Sequence, residues 1–327
     1  MNNYKSLKVS YKNNKHEVSF ITNKFRELKK KEVLVKVKYS GLNYKDALSV
    51  SGTSRIIRND SLIPGLDFSG IVAESNSRKF SKGERVLATG GGLGETIDGG
   101  FSQYVYVPEN ILIHIPQKLS LLSSMQIGTA GFTAAIAIEK MLLNKQNKNL
   151  GPIVVTGATG AVGSISINIL NNIGFDTVAI TRKNKSTKYL KSIGAKEIVK
   201  FNKNIDKKVL DKKIFAGSID SVGGEILDWI IKSTKDNGNI VSVGMASSPK
   251  LNTTIFPLII RNINLLGISS TNYPYNRKNI WEKLSKKYKP SKLNIINTKC
   301  INLENVVNFS KKILLGKNIG KIVIKIS

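Results

Sequence analysis

Cysteine is almost absent. Cys300 carries the only thiol among 327 residues, so no disulfide can close within the chain and no multi-cysteine zinc site can be assembled. Histidine is nearly as scarce: His16 and His114 stand alone, which leaves a histidine-rich catalytic metal without ligands. Acidic residues number 22 against 51 lysines and arginines, a formal net charge of +29. No run reaches the ~18 apolar residues of a membrane span, and the opening MNNYKSLKVS lacks the apolar core of a signal peptide. A cytoplasmic protein without membrane association is expected. Arginine is scarce too, at eight residues, so the charge is carried by 43 lysines spread along the chain among asparagine and isoleucine. AT-rich codons produce that spread, and no helix-turn-helix, RNA-binding or zinc-finger pattern accompanies it. The expectation is therefore no specific nucleic-acid partner and a local basic pocket for an anionic small molecule. An RNA-binding protein using the basic surface is the non-enzyme alternative.

What is present reads as a globular chain, 41% hydrophobic and 22% charged, long enough for two domains of ~100 to 200 residues. Short runs of strand character fill the first ~120 residues: EVLVKVKYS, DFSGIVAES, ERVLATG, FSQYVYVPE and ILIHIP, with His114 a strand residue in the last. After Ser123, MQIGTAGFTAAIAIEKML is apolar on a helical period. From Gly151 strands and helices alternate through PIVVTGA, VGSISINILNNIG, DTVAIT, KSTKYLKSIGA, SIDSVG, NIVSVGM and INLLGISS, which implies a parallel, doubly wound α/β sheet. RKNIWEKLSKKY and LENVVNFSKKILLG then read as helices and GKIVIKI as a last strand, while Cys300, in the alternation LNIINTKCINL, reads as a buried strand or strand-end thiol.

The strongest local signal is IVVTGATGAVGSISINIL. Gly157 permits a tight turn, Gly160 lets backbone approach a pyrophosphate, and Gly163 lets helix and strand pack closely. The turn Gly157, Thr159, Gly160, Ala161, Val162, Gly163 is thus read as a dinucleotide site. At the end of the next strand an NAD site has a carboxylate; here stand Thr181, Arg182 and Lys183, which suit a 2′-phosphate and favour NADPH. Ordinary solvated lysines in a lysine-rich chain are the alternative.

The chain resembles the zinc-independent medium-chain dehydrogenase/reductases, and within them the quinone oxidoreductase-like acrylyl-CoA reductases. The resemblance is carried by YSGLNYKDALSVSG, IPGLDFSGIV, VLATGGGLGETIDGGFSQY, IGTAGFTAA, VVTGATGAVGS, YLKSIGAKE, IDSVGG and RNINLLGISS, in order over nearly the whole chain. Zinc enzymes of the superfamily carry a His-Glu pair after the Pro-Gly turn; here Leu66 and Asp67 stand there. The resemblance implies a GroES-like β-rich catalytic domain from residues 1–123 and 270–327, with a Rossmann domain over 124–269. It implies NADPH-dependent reduction of acrylyl-CoA to propionyl-CoA, with quinone, enal or enoyl-CoA reduction as the alternative, and a homodimer seamed along INLLGI.

The resemblance places Asn43 and Asp67 at the nicotinamide and substrate carbonyl, and Tyr44 and Thr133 on the cofactor. Gly244, Met245, Ser270 and Asn318 enclose the nicotinamide side. By their own chemistry, Asn43 is an amide able to donate to an oxyanion, Asp67 transfers a proton only if its pKa is raised, and the alternative for both is a turn held by an Asn-Asp network. Thr133 has a helix cap as its alternative. Arg55 and Arg58 either meet the phosphates of a short acyl-CoA thioester or belong to a solvated loop.

Overall fold

The computed structural model describes residues 3–13, 15–200, 209–273 and 276–326. The chain runs β1 (Asn3–Lys12), β2 (Lys15–Lys24), β3 (Glu32–Leu42), α1 (Tyr44–Ser51), β4 (Ser61–Leu62), β5 (Asp67–Ser75), β6 (Arg85–Thr89), β7 (Tyr104–Pro108), β8 (Ile113–His114) and α2 (Leu121–Leu143). It continues through β9 (Ile153–Val155), α3 (Ala161–Asn172), β10 (Thr177–Thr181), α4 (Thr187–Ser192), β11 (Glu197–Lys200), β12 (Phe215–Asp220), α5 (Glu225–Ser233), β13 (Thr234–Ser242), α6 (Phe256–Ile260) and β14 (Asn264–Gly267). Last come α7 (Arg277–Ser285), α8 (Leu293–Ile296), β15 (Asn297–Asn302), α9 (Val306–Leu314) and β16 (Lys321–Lys325).

Two compact units result, residues 1–129, 271–285 and 297–327 in the first and 130–270 and 286–296 in the second. The sequence reading divides the chain after 123 and 269 and leaves 286–296 with the C-terminal segment. Those eleven residues are held in the second unit by side chains: Tyr288 Oη donates to Glu139 Oε2 at 2.6 Å, Ser291 Oγ donates to Asn172 Oδ1 at 2.9 Å, and the Lys292 amide donates to Asn168 Oδ1 at 3.1 Å.

In the first unit a mixed sheet has the order β15-β16-β3-β5-β6-β8, with β7 also on β3, and a smaller sheet has the order β2-β1-β4. Alternation drives it: Val33, Val35 and Val37 of β3 point into one core with Phe68, Val72 and Val86. On the other side Leu7, Val9, Leu42, Val50, Phe101, Val306 and Ile322 form a second cluster. Register decides the site. β16 pairs antiparallel with β3 through Ile322 and Leu42, and β5 pairs with β3 through Phe68 and Ser40. The start of β16, the end of β3 and the start of β5 therefore meet.

The second unit is a six-stranded parallel sheet in the order β11-β10-β9-β12-β13-β14. Its central strand β9 is buried throughout, as expected for a sheet covered on both faces. The strand order reverses between β9 and β12, the switch point where such sheets bind ligands at strand carboxyl ends.

The helix α2 is long and apolar enough by length and composition to cross a membrane, which the run-length reading missed, but most of it is buried inside the protein as a core helix. Nor is it continuous: Gly128 breaks it at φ 51° and ψ −157°. Cys300 does lie on β15, but it is exposed and not buried, because β15 is an edge strand.

Candidate active site

In the second unit the turn after β9 follows from its glycines. Gly157 sits at φ +55°, where a side chain would be strained and would also strike Ser221 Oγ. Gly163 is bound to close packing, since a Cβ there would lie 2.5 Å from the Gly157 carbonyl oxygen. Above Gly160 the one atom near a hypothetical Cβ among the described residues is the Gly157 oxygen at 3.2 Å, so they leave the turn open on that side. The first turn of α3 carries no acidic residue and begins at Ala161 and Val162, leaving its amide ends compatible with an anion. Beneath the turn, Thr156 Oγ1 donates to Asp220 Oδ1 at 2.6 Å, and the amides of Val222 and Gly223 donate to the same carboxylate at 3.3 and 2.9 Å. Burial pushes the Asp220 carboxyl above its ordinary range. This buckle across the switch point escaped the sequence reading, although Asp220 stands in the quoted SIDSVG run.

At the end of β10, Thr181 is buried, its Oγ1 accepts the Lys183 amide at 3.0 Å, and Arg182 is exposed. Burial lowers the Lys183 ammonium pKa. Thr133 and Ser270, 137 residues apart, meet with Thr133 Oγ1 donating to Ser270 Oγ at 2.8 Å. Thr133 lies inside the second half of α2, so it is no helix cap. Gly244 passes over Ser221, and Met245 beside it is 67% exposed. The turn and the β10 end fit a phosphorylated dinucleotide.

In the first unit the meeting strand ends gather a buried charged cluster. Asp67 and Lys321 are both fully buried, with Lys321 Nζ 3.9 Å from Asp67 Oδ2. Asp67 Oδ1 accepts the Gly41 amide at 2.7 Å, and Oδ2 accepts the Thr129 amide at 2.7 Å. Gly128 makes the second contact: the helix break turns the Thr129 N–H toward Asp67, and a Cβ at Gly128 would lie 2.8 Å from Oδ2. Asn43 sits between the charges. Its Nδ2 donates to Asp67 Oδ2 and to Asp46 Oδ2, each at 3.1 Å, and its Oδ1 accepts Lys321 Nζ at 2.7 Å. Asp46 is buried too and accepts the amides of Leu66 and Asn43 at 2.9 and 3.0 Å. Burial, then the negative charge of Asp67, pushes its carboxyl up to about 7.

This geometry bears on two expected roles. An oxyanion donor needs a free N–H, whereas the Asn43 amide hydrogens already face two carboxylates. Asp67, expected to move a proton, has donors on both oxygens and no solvent contact, so the network alternative describes its surroundings. Tyr44, the next residue, is 44% exposed at the start of α1. Asn318 donates from Nδ2 to the Gly320 carbonyl at 2.9 Å, shaping the turn before Lys321. Arg55 and Arg58 are exposed on the loop after α1, where Arg55 pairs with Asp60 at 3.0 Å and lies 5.0 Å from the Tyr11 ring centroid. Asp46 and Lys321 went unread, though Asn43-x-x-Asp46 is a helix-start spacing and Lys321 is a lysine opening an apolar strand. Among the described residues no group of three His, Cys, Asp or Glu side chains is placed to hold a metal ion.

Residues 29–117 match the alcohol dehydrogenase GroES-like domain, and residues 161–287 match the zinc-binding dehydrogenase domain. YhfP of Bacillus subtilis, which bears a provisional quinone oxidoreductase name, is 38% identical over 92% of either chain. The acrylyl-CoA reductase AcuI of Ruegeria pomeroyi is 34% identical over 90% of each. Among solved structures, the YhdH oxidoreductase of Salmonella enterica in complex with NADP superposes at a TM-score of 0.94, with 33% identity, covering 99% of this chain and 100% of that one. YhfP with NAD bound superposes at 0.93, with 35% identity and coverage of 99% and 100%. With relatives this similar along nearly their full length, the chain belongs to the medium-chain dehydrogenase/reductases, in the zinc-independent quinone oxidoreductase and acrylyl-CoA reductase-like branch, as an NADP(H)-binding oxidoreductase.

Proposed function

We propose that the protein is an NADPH-dependent reductase of carbonyl-activated double bonds, with enoyl-CoA thioesters and quinones as its substrate classes and acrylyl-CoA, giving propionyl-CoA, as the first thioester to test. The observation that carries this reading is the end of β10, where Thr181, Arg182 and Lys183 stand in place of a ribose-binding carboxylate. The quinone class rests on the name of YhfP, and the thioester class on that of AcuI. When bound, NADPH supplies a hydride for the β-carbon of the substrate.

The chain's own residues bind and orient. The Gly157–Gly163 turn and the first amides of α3 hold the pyrophosphate, and Arg182 and Lys183 take the 2′-phosphate. Thr133 and Ser270 offer paired hydroxyls to the carboxamide, with Gly244 and Met245 beside the nicotinamide. The buried Asp46, Asp67 and Lys321, with the partly buried Asn43 between them, fix the start of α1, so that Tyr44 presents its hydroxyl from a rigid position. Arg55 and Arg58 meet thioester phosphates only if Arg55 leaves Asp60.

We further propose a homodimer. Among the described residues the sheet ends on β14, and α6 shortly before it leaves Ile255, Phe256, Ile259 and Ile260 exposed. A bare edge beside an apolar patch is an association surface, and a two-fold pairing of β14 covers both.

Oxidation of NADPH and of NADH, followed side by side with acrylyl-CoA, crotonyl-CoA and a benzoquinone, tests the reading. Turnover of a thioester or quinone with NADPH preferred is expected. Turnover of none of them, or equal use of both nucleotides, contradicts it.

A further inference from the structure

An acidic residue in the first turn of a helix ordinarily faces water and caps the free amides there. Asp46 does cap, but at 2% exposure, and it does more than cap. Its Oδ1 accepts the Leu66 amide, joining α1 to the Pro64–Asp67 turn, and its Oδ2 accepts both the backbone and the side-chain N–H of Asn43. The Asn43 amide is consequently oriented from three sides: Asp46 and Asp67 on its nitrogen, Lys321 on its oxygen. Rotating that amide would set its oxygen against two carboxylates and its nitrogen against an ammonium.

We propose that Asp46 is a positioning residue of the active site: its ionised carboxylate fixes the Asn43 amide, and with it Tyr44 at the start of α1, in the arrangement that turns substrate over. This deepens the reductase reading and rests on it. The groups that hydrogen-bond to Asp46 are all donors, so the ionised carboxylate serves all three contacts, whereas the protonated carboxyl, with less acceptor capacity, holds them less firmly. The charged groups facing it are Asp67 at the start of β5 and, through Asn43, Lys321 at the start of β16. Lys45, its neighbour on α1, is paired with Glu95 at 2.5 Å, and Lys311 and Lys312 of α9, which packs on α1, are exposed. Burial and Asp67 bring the proton on near pH 7, so the two arrangements exchange within the working range of an enzyme. Ionisation thus costs stability while it organises the site.

Two measurements on the full, NADPH-loaded chain test this. The Asn43 side-chain amide signal in the nitrogen-15 NMR spectrum, identified by its loss in Asn43→Ser, should shift between about pH 5.5 and 8.5 with a midpoint near 7, and Asp46→Asn should abolish the shift. In parallel, kcat/KM should fall about tenfold per pH unit below the same midpoint, while Asp46→Asn is flat and at least tenfold lower at pH 8, with NADPH affinity unchanged. An Asn43 signal that does not move in the unmodified protein, or a wild-type acid limb retained in Asp46→Asn, overturns the assignment. Should Asp46→Asn fail to fold, the titration and acid limb of the unmodified protein decide alone. If no alkene or quinone is turned over, the reductase reading fails by itself, and the amide titration still decides the role of Asp46.

Discussion

Replacing Asp67 by asparagine separates holding from chemistry, because the substitution keeps the shape of the side chain and removes its charge. In the structure both carboxylate oxygens are occupied, Oδ1 by the Gly41 amide and Oδ2 by the Thr129 amide and Asn43 Nδ2. An asparagine has one acceptor, so its NH2 must face at least one of these donors, and Lys321 loses its buried counter-charge. Removing one partner of a buried pair costs about 3 to 5 kcal/mol, and here solvent offers no compensation because both side chains are fully buried. At about 2 °C per kcal/mol for a chain of this size, the melting temperature should fall by about 6 to 10 °C. Thermal unfolding by circular dichroism reads this, with NADPH oxidation followed on the same samples well below the transition. The holding role predicts that turnover then drops by less than about tenfold. A variant that melts within about 1 °C of the unmodified protein but loses ~100-fold or more in kcat would refute the reasoning and make the Asp67 carboxylate a participant in proton transfer.

Arg182→Ala with Lys183→Ala should raise the KM for NADPH at least tenfold with little change in kcat, since charge-assisted bonds to a phosphate remote from the reacting carbon are worth ~1.5 to 3 kcal/mol each; steady-state kinetics decide it. Asp46 binds its proton more tightly folded than unfolded, from an ordinary 3.8 to about 7, so its contribution favours the fold at low pH and is lost as pH rises through about 7. Denaturant titrations should show stability falling by up to about 4 kcal/mol between about pH 4 and 7 from this group, an effect Asp46→Asn removes. Gly163→Val, with no room beside the Gly157 carbonyl, should abolish cofactor binding measured by NADPH fluorescence. Ile259→Glu on α6 should convert a dimer to a monomer in light scattering.

How much of this was legible in the sequence follows from distance along the chain. The glycine turn after β9 was readable because Gly157, Gly160 and Gly163 act within one strand-turn-helix segment, and β3, β5 and β6 were readable from their alternation. Asn43 and Asp67 stood out by resemblance, but their surroundings did not: Lys321 reaches Asn43 across 278 residues, through a β16–β3 register that no local pattern encodes. The apolar period of α2 ran straight through Gly128, hiding the break that aims Thr129 at Asp67. Residues 286–296 cluster with the second unit through the buried Tyr288, Leu293 and Ile296 and the polar contacts of Ser291 and Lys292 to α3, partners distant in sequence that no local pattern reveals. The β1–β2 hairpin passed unread since β2 is nowhere fully buried and exposes Phe20 among Lys15, Glu17, Thr22 and Lys24, which blurs the alternation.

The central claim is hydride transfer from NADPH to the β-carbon of a carbonyl-activated double bond, and isotope transfer tests it most directly. The protein is incubated with acrylyl-CoA and NADPH carrying deuterium at the transferable C4 position, and the product thioester is analysed by mass spectrometry and NMR. The account predicts propionyl-CoA with one deuterium on C3 and none on C2. Deuterium at C2, or unchanged acrylyl-CoA together with consumption of labelled NADPH, would contradict it.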